Sequence, residues 1–254
     1  MQRLWIVPAA FFLAVGIAAA QTPAPSPAPL PPARRAWVSY ATDVAIARRL
    51  AVVAEAQGRF DGAALGNAQQ LLLRLGLDYS LVPALRLSAG WHYVRTDPET
   101  GAADYPEHRT WEQAQLASAL GPVGVSNRVR VEQRWVGAGA LGAVAGDAGG
   151  AKWTRLNRVR YQLRGTVPVG ACLPRLRCYV AASDELFVGI APGDGRALSP
   201  EQNRAALAVG SRVLPALRVE LGYLNQAGIA PAGTIHVRAH ALTLNVTASR
   251  AGAR

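Results

Sequence analysis

Residues 127–135 read Asn-Arg-Val-Arg-Val-Glu-Gln-Arg-Trp, a run in which charge and apolar bulk alternate with a period of two. Successive side chains of an extended strand point to opposite faces. Arg128, Arg130, Glu132 and Arg134 therefore share one face, while Val129, Val131 and Trp135 line the other. The pattern recurs in Arg158-Val159-Arg160-Tyr161-Gln162-Leu163-Arg164. It returns where Leu71, Leu73, Leu75, Leu77 and Tyr79 alternate with Gln70, Arg74, Asp78 and Ser80. Many such strands behind a secretory signal predict a transmembrane β-barrel with an apolar exterior and a charged Arg/Glu lumen.

The signal is the first segment of the chain. Arg3 supplies the positive region, Leu4–Ile17 the apolar run, and Ala18-Ala19-Ala20 a small-residue cleavage site before Gln21. The run is short for a membrane-spanning helix, so residues 1–20 read as a signal peptide cleaved after Ala20. Residues 21–36 read as an extended Pro/Ala-rich tether, 37–248 as the barrel and 249–254 as a tail. The address this implies is the bacterial outer membrane, with its lipids as surroundings. Periplasmic chaperones and the barrel-assembly machinery would then be partners during biogenesis.

Of the 254 residues, 27 are Lys or Arg and 16 are Asp or Glu, a formal net charge of +11. Nucleic-acid binders gather such charge into a solvent-facing patch. Here the arginines alternate with Val, Tyr and Leu inside strands and are interleaved with Glu and Gln, so nucleic acid is not the expected partner. Cys172 and Cys178 flank Leu-Pro-Arg-Leu-Arg. In an oxidising compartment that spacing predicts a local disulfide, and it matches no zinc or thioredoxin-like pattern.

Ten strands are expected, near 50–60, 69–80, 84–95, 106–118, 123–136, 155–168, 178–189, 202–213, 216–226 and 235–247. The strands at 106–118 and 178–189 alternate poorly. Short connections (Val82-Pro83, Gly121-Pro122, Leu214-Pro215) alternate with long Gly/Ala/Asp-rich ones, as in barrels with short periplasmic turns and long outer loops. The connection 169–177 departs from that alternation by being too long. Segment 37–46 is also strand-like, but counting it gives an odd total, and single-chain bacterial barrels have even strand numbers. Ten is therefore the expectation, with twelve as the alternative. Tyr79 falls near a short-turn end, and Tyr93, Trp135 and Tyr223 near long-loop ends, as a membrane-interface belt would place them. The rival architecture is a soluble lipocalin-like barrel with the faces reversed. Strand count and loop alternation favour the membrane form.

A succession of short stretches carries a family resemblance: Trp37, Arg59-Phe60, Gly76-Leu77-Asp78-Tyr79, Ala89-Gly90-Trp91-His92-Tyr93 and Glu107-His108-Arg109-Thr110-Trp111. Arg128 through Arg134, Arg158-Val159-Arg160-Tyr161, Asp184-Glu185-Leu186-Phe187, Gln202-Asn203-Arg204 and Gly222-Tyr223-Leu224-Asn225-Gln226 continue it. In this order, over nearly all of the mature chain, they resemble a bacterial outer-membrane barrel family known as domain of unknown function 2490. The resemblance implies a barrel and no established activity, so it carries over no catalytic residue. Such barrels usually end on an aromatic residue, whereas this chain ends Ala248-Ser249-Arg250-Ala251-Gly252-Ala253-Arg254.

The candidate lumen network comprises Glu107 and Arg109; Arg128, Arg130, Glu132 and Arg134; Arg158 and Arg160; and Glu185 with Arg204. Glu55, Arg59, Arg74, Arg86, Arg164, Arg212, Arg218 and Glu220 share the inward-facing pattern. Arginine meets a carboxylate through a planar fork, and a ten-stranded barrel leaves little more than side-chain room. The expectation is a structural, narrow barrel plugged by ion pairs, with an anion-preferring, porin-like small-solute channel as the alternative. A lipid acyl hydrolase or transferase is a further alternative. Ser88 and His92 share a face but lie roughly 13 Å apart along a strand, and His236 and His240 fail as a metal pair for the same reason. No cofactor, metal or catalytic constellation is expected.

Overall fold

The period-two segments all form strands that pair with their sequence neighbours. The computed structural model describes residues 32–62, 65–98, 103–137, 153–173, 176–190, 198–229 and 235–250. Its strands are β1 (Ala33–Ala47), β2 (Leu50–Asp61), β3 (Ala68–Val82), β4 (Leu85–Thr96), β5 (Tyr105–Leu120) and β6 (Val123–Gly137). They continue with β7 (Trp153–Leu173), β8 (Leu176–Ile190), β9 (Ser199–Leu214), β10 (Leu217–Ile229) and β11 (Ile235–Arg250). The poorly alternating segments at 106–118 and 178–189 are β5 and β8. The signal segment and most of the expected tether lie outside the described residues. β1 begins at Ala33, inside the segment read as tether, and β11 runs to Arg250, into the expected tail.

The strands close into a barrel of eleven, neither the ten expected nor the twelve held as the alternative. Segment 37–46 does pair, and no twelfth strand compensates for it among the described residues. Antiparallel pairing all the way round a ring requires an even number of strands, so an odd ring must contain one parallel pair. That pair is β1 with β11, in continuous register from Ala33 opposite Ala239 to Val44 opposite Arg250. All other neighbouring pairs are antiparallel.

Connections of two residues, after β1, β3, β5, β7 and β9, alternate strictly with connections of five to fifteen. The anomaly expected at 169–177 disappears, because β7 extends to Leu173 and leaves two residues before β8. Two register shifts, at Pro168/Gly170 and Ala171/Leu173, accommodate that extension. Pro168 has no N–H to give a ladder, and Gly170 sits at φ +89°, a conformation open to glycine. One rim of the barrel thus carries all the short turns and the other all the long loops.

The two faces separate by polarity. Leu71, Leu73, Leu75 and Leu77 of β3 point outward and are about half exposed. Their alternates Leu72 and Arg74 point inward, Leu72 being buried. Outside, near the loop rim, His108 stacks with Trp91 and meets Tyr93 and Trp153 at a tilt, at centroid distances of 5.2 to 5.6 Å. Tyr223, expected near a loop end, lies mid-strand because β10 continues to Ile229. Two outward carboxylates interrupt the apolar band: Glu112 accepts from Gln133 at 3.1 Å, and Asp184 from Asn203 at 3.0 Å.

Candidate functional site: an arginine-lined interior

Cross-strand register assembles the interior. Opposite residues on neighbouring strands lie side by side on one face. The register Trp111–Glu132–Arg158 crosses β5, β6 and β7, and Gln113–Arg130–Arg160–Phe187 runs beside it and on to β8. Charges far apart in sequence are thereby stacked in rows across the barrel wall.

Three glutamates anchor these rows. Glu107 accepts forked hydrogen bonds from Arg109 at 2.7 and 2.9 Å and from Arg134 at 2.5 and 3.2 Å. Glu132 has no exposed side-chain surface. Its Oε2 takes Nε and Nη2 of Arg158, and its Oε1 takes Nη1 of Arg160 at 2.7 Å. Glu185 Oε1 accepts from Arg160 Nη2 and Arg128 Nη2, both at 2.7 Å. Arg160 therefore bridges two carboxylates. Arg130 stands 3.9 Å from Glu132 and donates instead to Gln113 at 2.6 and 3.0 Å. Arg74 pairs with Glu55 at 2.9 Å, and Arg164 with Glu220 at 2.6 Å.

Aromatic rings are interleaved with these charges. Arg158, Arg160 and Arg204 all stand over Phe187, 4.5 to 5.0 Å from its centroid, and Arg130 stands 4.9 Å over Trp111. A ring face attracts a guanidinium and holds it without neutralising it. Sequence reasoning overlooked Trp111, Phe187 and Trp37 as interior groups. For two of them the available signal was parity, Trp111 being two residues from Arg109 and Phe187 two from Glu185; Trp37 is set opposite Arg59 by strand register alone.

Against this belt lies a cavity of about 570 Å³, with Arg128, Arg158, Arg160 and Glu185 among its walls. It is lined from the loop rim, at Gln69, Thr96, Asp97 and Tyr105, down to Arg164, Glu220 and Asn245. Short-turn-rim residues such as Asp78, Arg86, Gln115 and Arg218 are not among its walls. Ten arginines and five carboxylates line it, with Glu132 just behind, so positive charge is in excess.

All ten residues of the expected lumen network fall on the inner face. Nine of them gather around Glu107, Glu132 and Glu185, and Arg204 stands apart from those ion pairs. Arg59, grouped only with the wider inward-facing set, lies near Arg204 over Trp37. Ser88 and His92 both face inward, but Ser88 Oγ and His92 Nδ1 lack a hydrogen-bond partner, so no nucleophile–base pair forms between them. The His236 side chain lies outside the described residues, and His240 is on the outer face beside Tyr223. Cys172 and Cys178 are joined by a disulfide across the β7–β8 hairpin, with a Cα–Cα distance of 5.6 Å, at the rim away from the cavity.

An uncharacterized protein of Methylorubrum extorquens is 30% identical over 203 residues, covering 78% of this chain and 79% of that protein. The family described as "Protein of unknown function (DUF2490)" matches residues 34–235, and with this match spanning the barrel from β1 to the start of β11, the chain belongs to that family.

Proposed function

We propose that the protein is an integral outer-membrane barrel whose interior is closed by the Arg–Glu belt instead of forming an open pore. The observation that carries this reading is the bridging of Glu132 and Glu185 by Arg160, a cation between two carboxylates, all three buried. Side chains so fixed narrow the lumen at their level. The exterior supports membrane residence: Leu, Val and Tyr side chains cover it, and an aromatic cluster sits near the loop rim. Strictly alternating connection lengths fit short periplasmic turns and long outer loops.

Two measurements test this. Cell fractionation should recover the protein with outer membranes, and unheated detergent extracts should migrate differently from boiled ones. Recovery as a soluble periplasmic protein without heat-dependent mobility would overturn membrane residence. In planar bilayers the purified protein should show little steady conductance. A large, stable, anion-selective conductance would replace the closed reading with the channel, which the excess of arginine along the cavity favours.

A further inference from the structure

Two cavity arginines differ from seven of their neighbours. Arg74, Arg109, Arg128, Arg134, Arg158, Arg160 and Arg164 each form an ion pair with a carboxylate. Arg59 and Arg204 form none among the described residues. Neutral amides hold them instead. Arg59 donates from Nε to Gln57 Oε1 at 3.0 Å and from Nη1 to Gln70 Oε1 at 2.8 Å. With its amide oxygen turned toward Arg204, Gln202 accepts from Nε at 2.5 Å and Nη2 at 3.1 Å. Both guanidinium groups stand over the Trp37 ring, 4.2 and 4.9 Å from its centroid. The Trp37 ring is buried, and its Nε1–H meets no acceptor.

These contacts orient two cations without a direct ion pair; Glu55 and Glu185, the latter opposite Arg204 in the register of β8 and β9, act on them only at longer range. Like charges held close together inside a protein repel, and a buried donor without an acceptor is costly. One ligand would relieve all three deficits: an anion with two negative charges and several acceptor oxygens. A carboxylate in place of Gln57 or Gln70 would give Arg59 an ion pair, and one in place of Gln202 would give Arg204 one; all three positions hold neutral amides.

We infer that Arg59, Arg204 and the Trp37 indole N–H form a binding site for a small dianionic oxyanion, a phosphate or a dicarboxylate, reached from the loop rim. Trp37 lies four residues from the loop-rim end of β1, so the site sits in the upper part of the cavity. The cavity volume lies within the range of small-molecule sites. The inference deepens the closed-barrel reading by giving the chamber against the belt a ligand class.

The test uses the folded full-length barrel in uncharged detergent, titrated calorimetrically with inorganic phosphate at pH 8, with succinate, and with chloride as an ionic-strength control. Saturable one-to-one binding of phosphate or succinate, but not chloride, is expected. Phosphate alone would place the ligand among phosphate compounds, and succinate alone among dicarboxylates. Arg59→Met and Arg204→Met should each weaken binding about tenfold or more, since each removes a charge-assisted partner. Heat-dependent gel mobility identifies the variants that remain folded. Trp37→Phe keeps the ring and removes only the N–H, so a several-fold loss is expected there as well. Absence of saturable binding to both anions would overturn the inference, as would unchanged affinity in every folded variant. Binding in detergent does not depend on conductance: a conducting barrel that binds phosphate sinks only the closed-lumen reading, and a silent barrel that binds neither anion sinks only this one.

Discussion

Trp111 lies directly over Gly76, where a Cβ would stand 2.6 Å from the indole Cζ2. Gly90, opposite Gly76 on β4, is filled in the same way, with a Cβ there meeting Leu75 O at 2.2 Å and the same ring carbon at 2.9 Å. Two inward glycines on paired strands form the recess that lets a large ring lie flat against the barrel wall. Gly76→Ala must displace both the ring and the Ala89 carbonyl, and should cost about 1–3 kcal/mol. Urea unfolding in detergent, followed by tryptophan fluorescence, measures it.

The belt makes a sharper prediction. Arg160→Met leaves Glu132 and Glu185 each short of a partner in a buried setting, and removing one member of a buried ion pair costs about 3–5 kcal/mol. The exposed pair Arg95–Asp104 is the control. Arg95→Ala should leave stability nearly unchanged, because water screens an exposed pair. Equal losses in the two variants would mean that water reaches the belt.

The outward Asp184–Asn203 pair bears on the surroundings of the wall. Asp184→Leu with Asn203→Leu removes a carboxylate and an amide together, leaving no orphaned partner. In lipid vesicles this double variant should be more stable by roughly 1–2 kcal/mol, because a lipid-facing charge is costly. A soluble barrel would instead gain an exposed apolar patch and aggregate.

Much of this was legible in the primary structure. Parity assigned Arg128, Arg130, Glu132 and Arg134 to one face because one residue of slip inverts a strand. Segment 37–46 reads as a strand, but counting it gives an odd total and starts the ring on the wrong side for a bacterial barrel. No local pattern reveals a parallel closure, since its partner lies about two hundred residues away and no turn connects them. The ion-pair partners were legible as a set but not as pairs, because strand register decides which carboxylate each arginine meets. Arg59 resembled its neighbours in sequence. Its lack of a carboxylate became apparent only when Gln57 and Gln70 were found beside it.

The disulfide should contribute modestly. It closes a loop of only a few residues in a hairpin already tied by backbone pairing, so loop entropy allows about 2 kcal/mol at most. Cys172→Ser should lower the urea midpoint slightly without altering heat-dependent mobility.

The parallel pair of β1 and β11 has a consequence for how the ring comes apart. Every other neighbouring pair is tethered by its own connection and would find its partner again after a transient break. Here no connection holds the two strands; their ladder joins them, with two side-chain clasps: Ser39 Oγ to Asn245 Oδ1, and Ser249 Oγ to Asp43 Oδ1, each 2.6 Å. If the wall unzips, it does so there, as a curved sheet with ten pairs intact and two bare edges. Each edge then offers a row of unpaired N–H and C=O groups able to take up a strand from another chain. The same gap is where a half-built ring would admit its last strand, so Ser39, Asp43, Asn245 and Ser249 form the latch of a door as well as part of a wall.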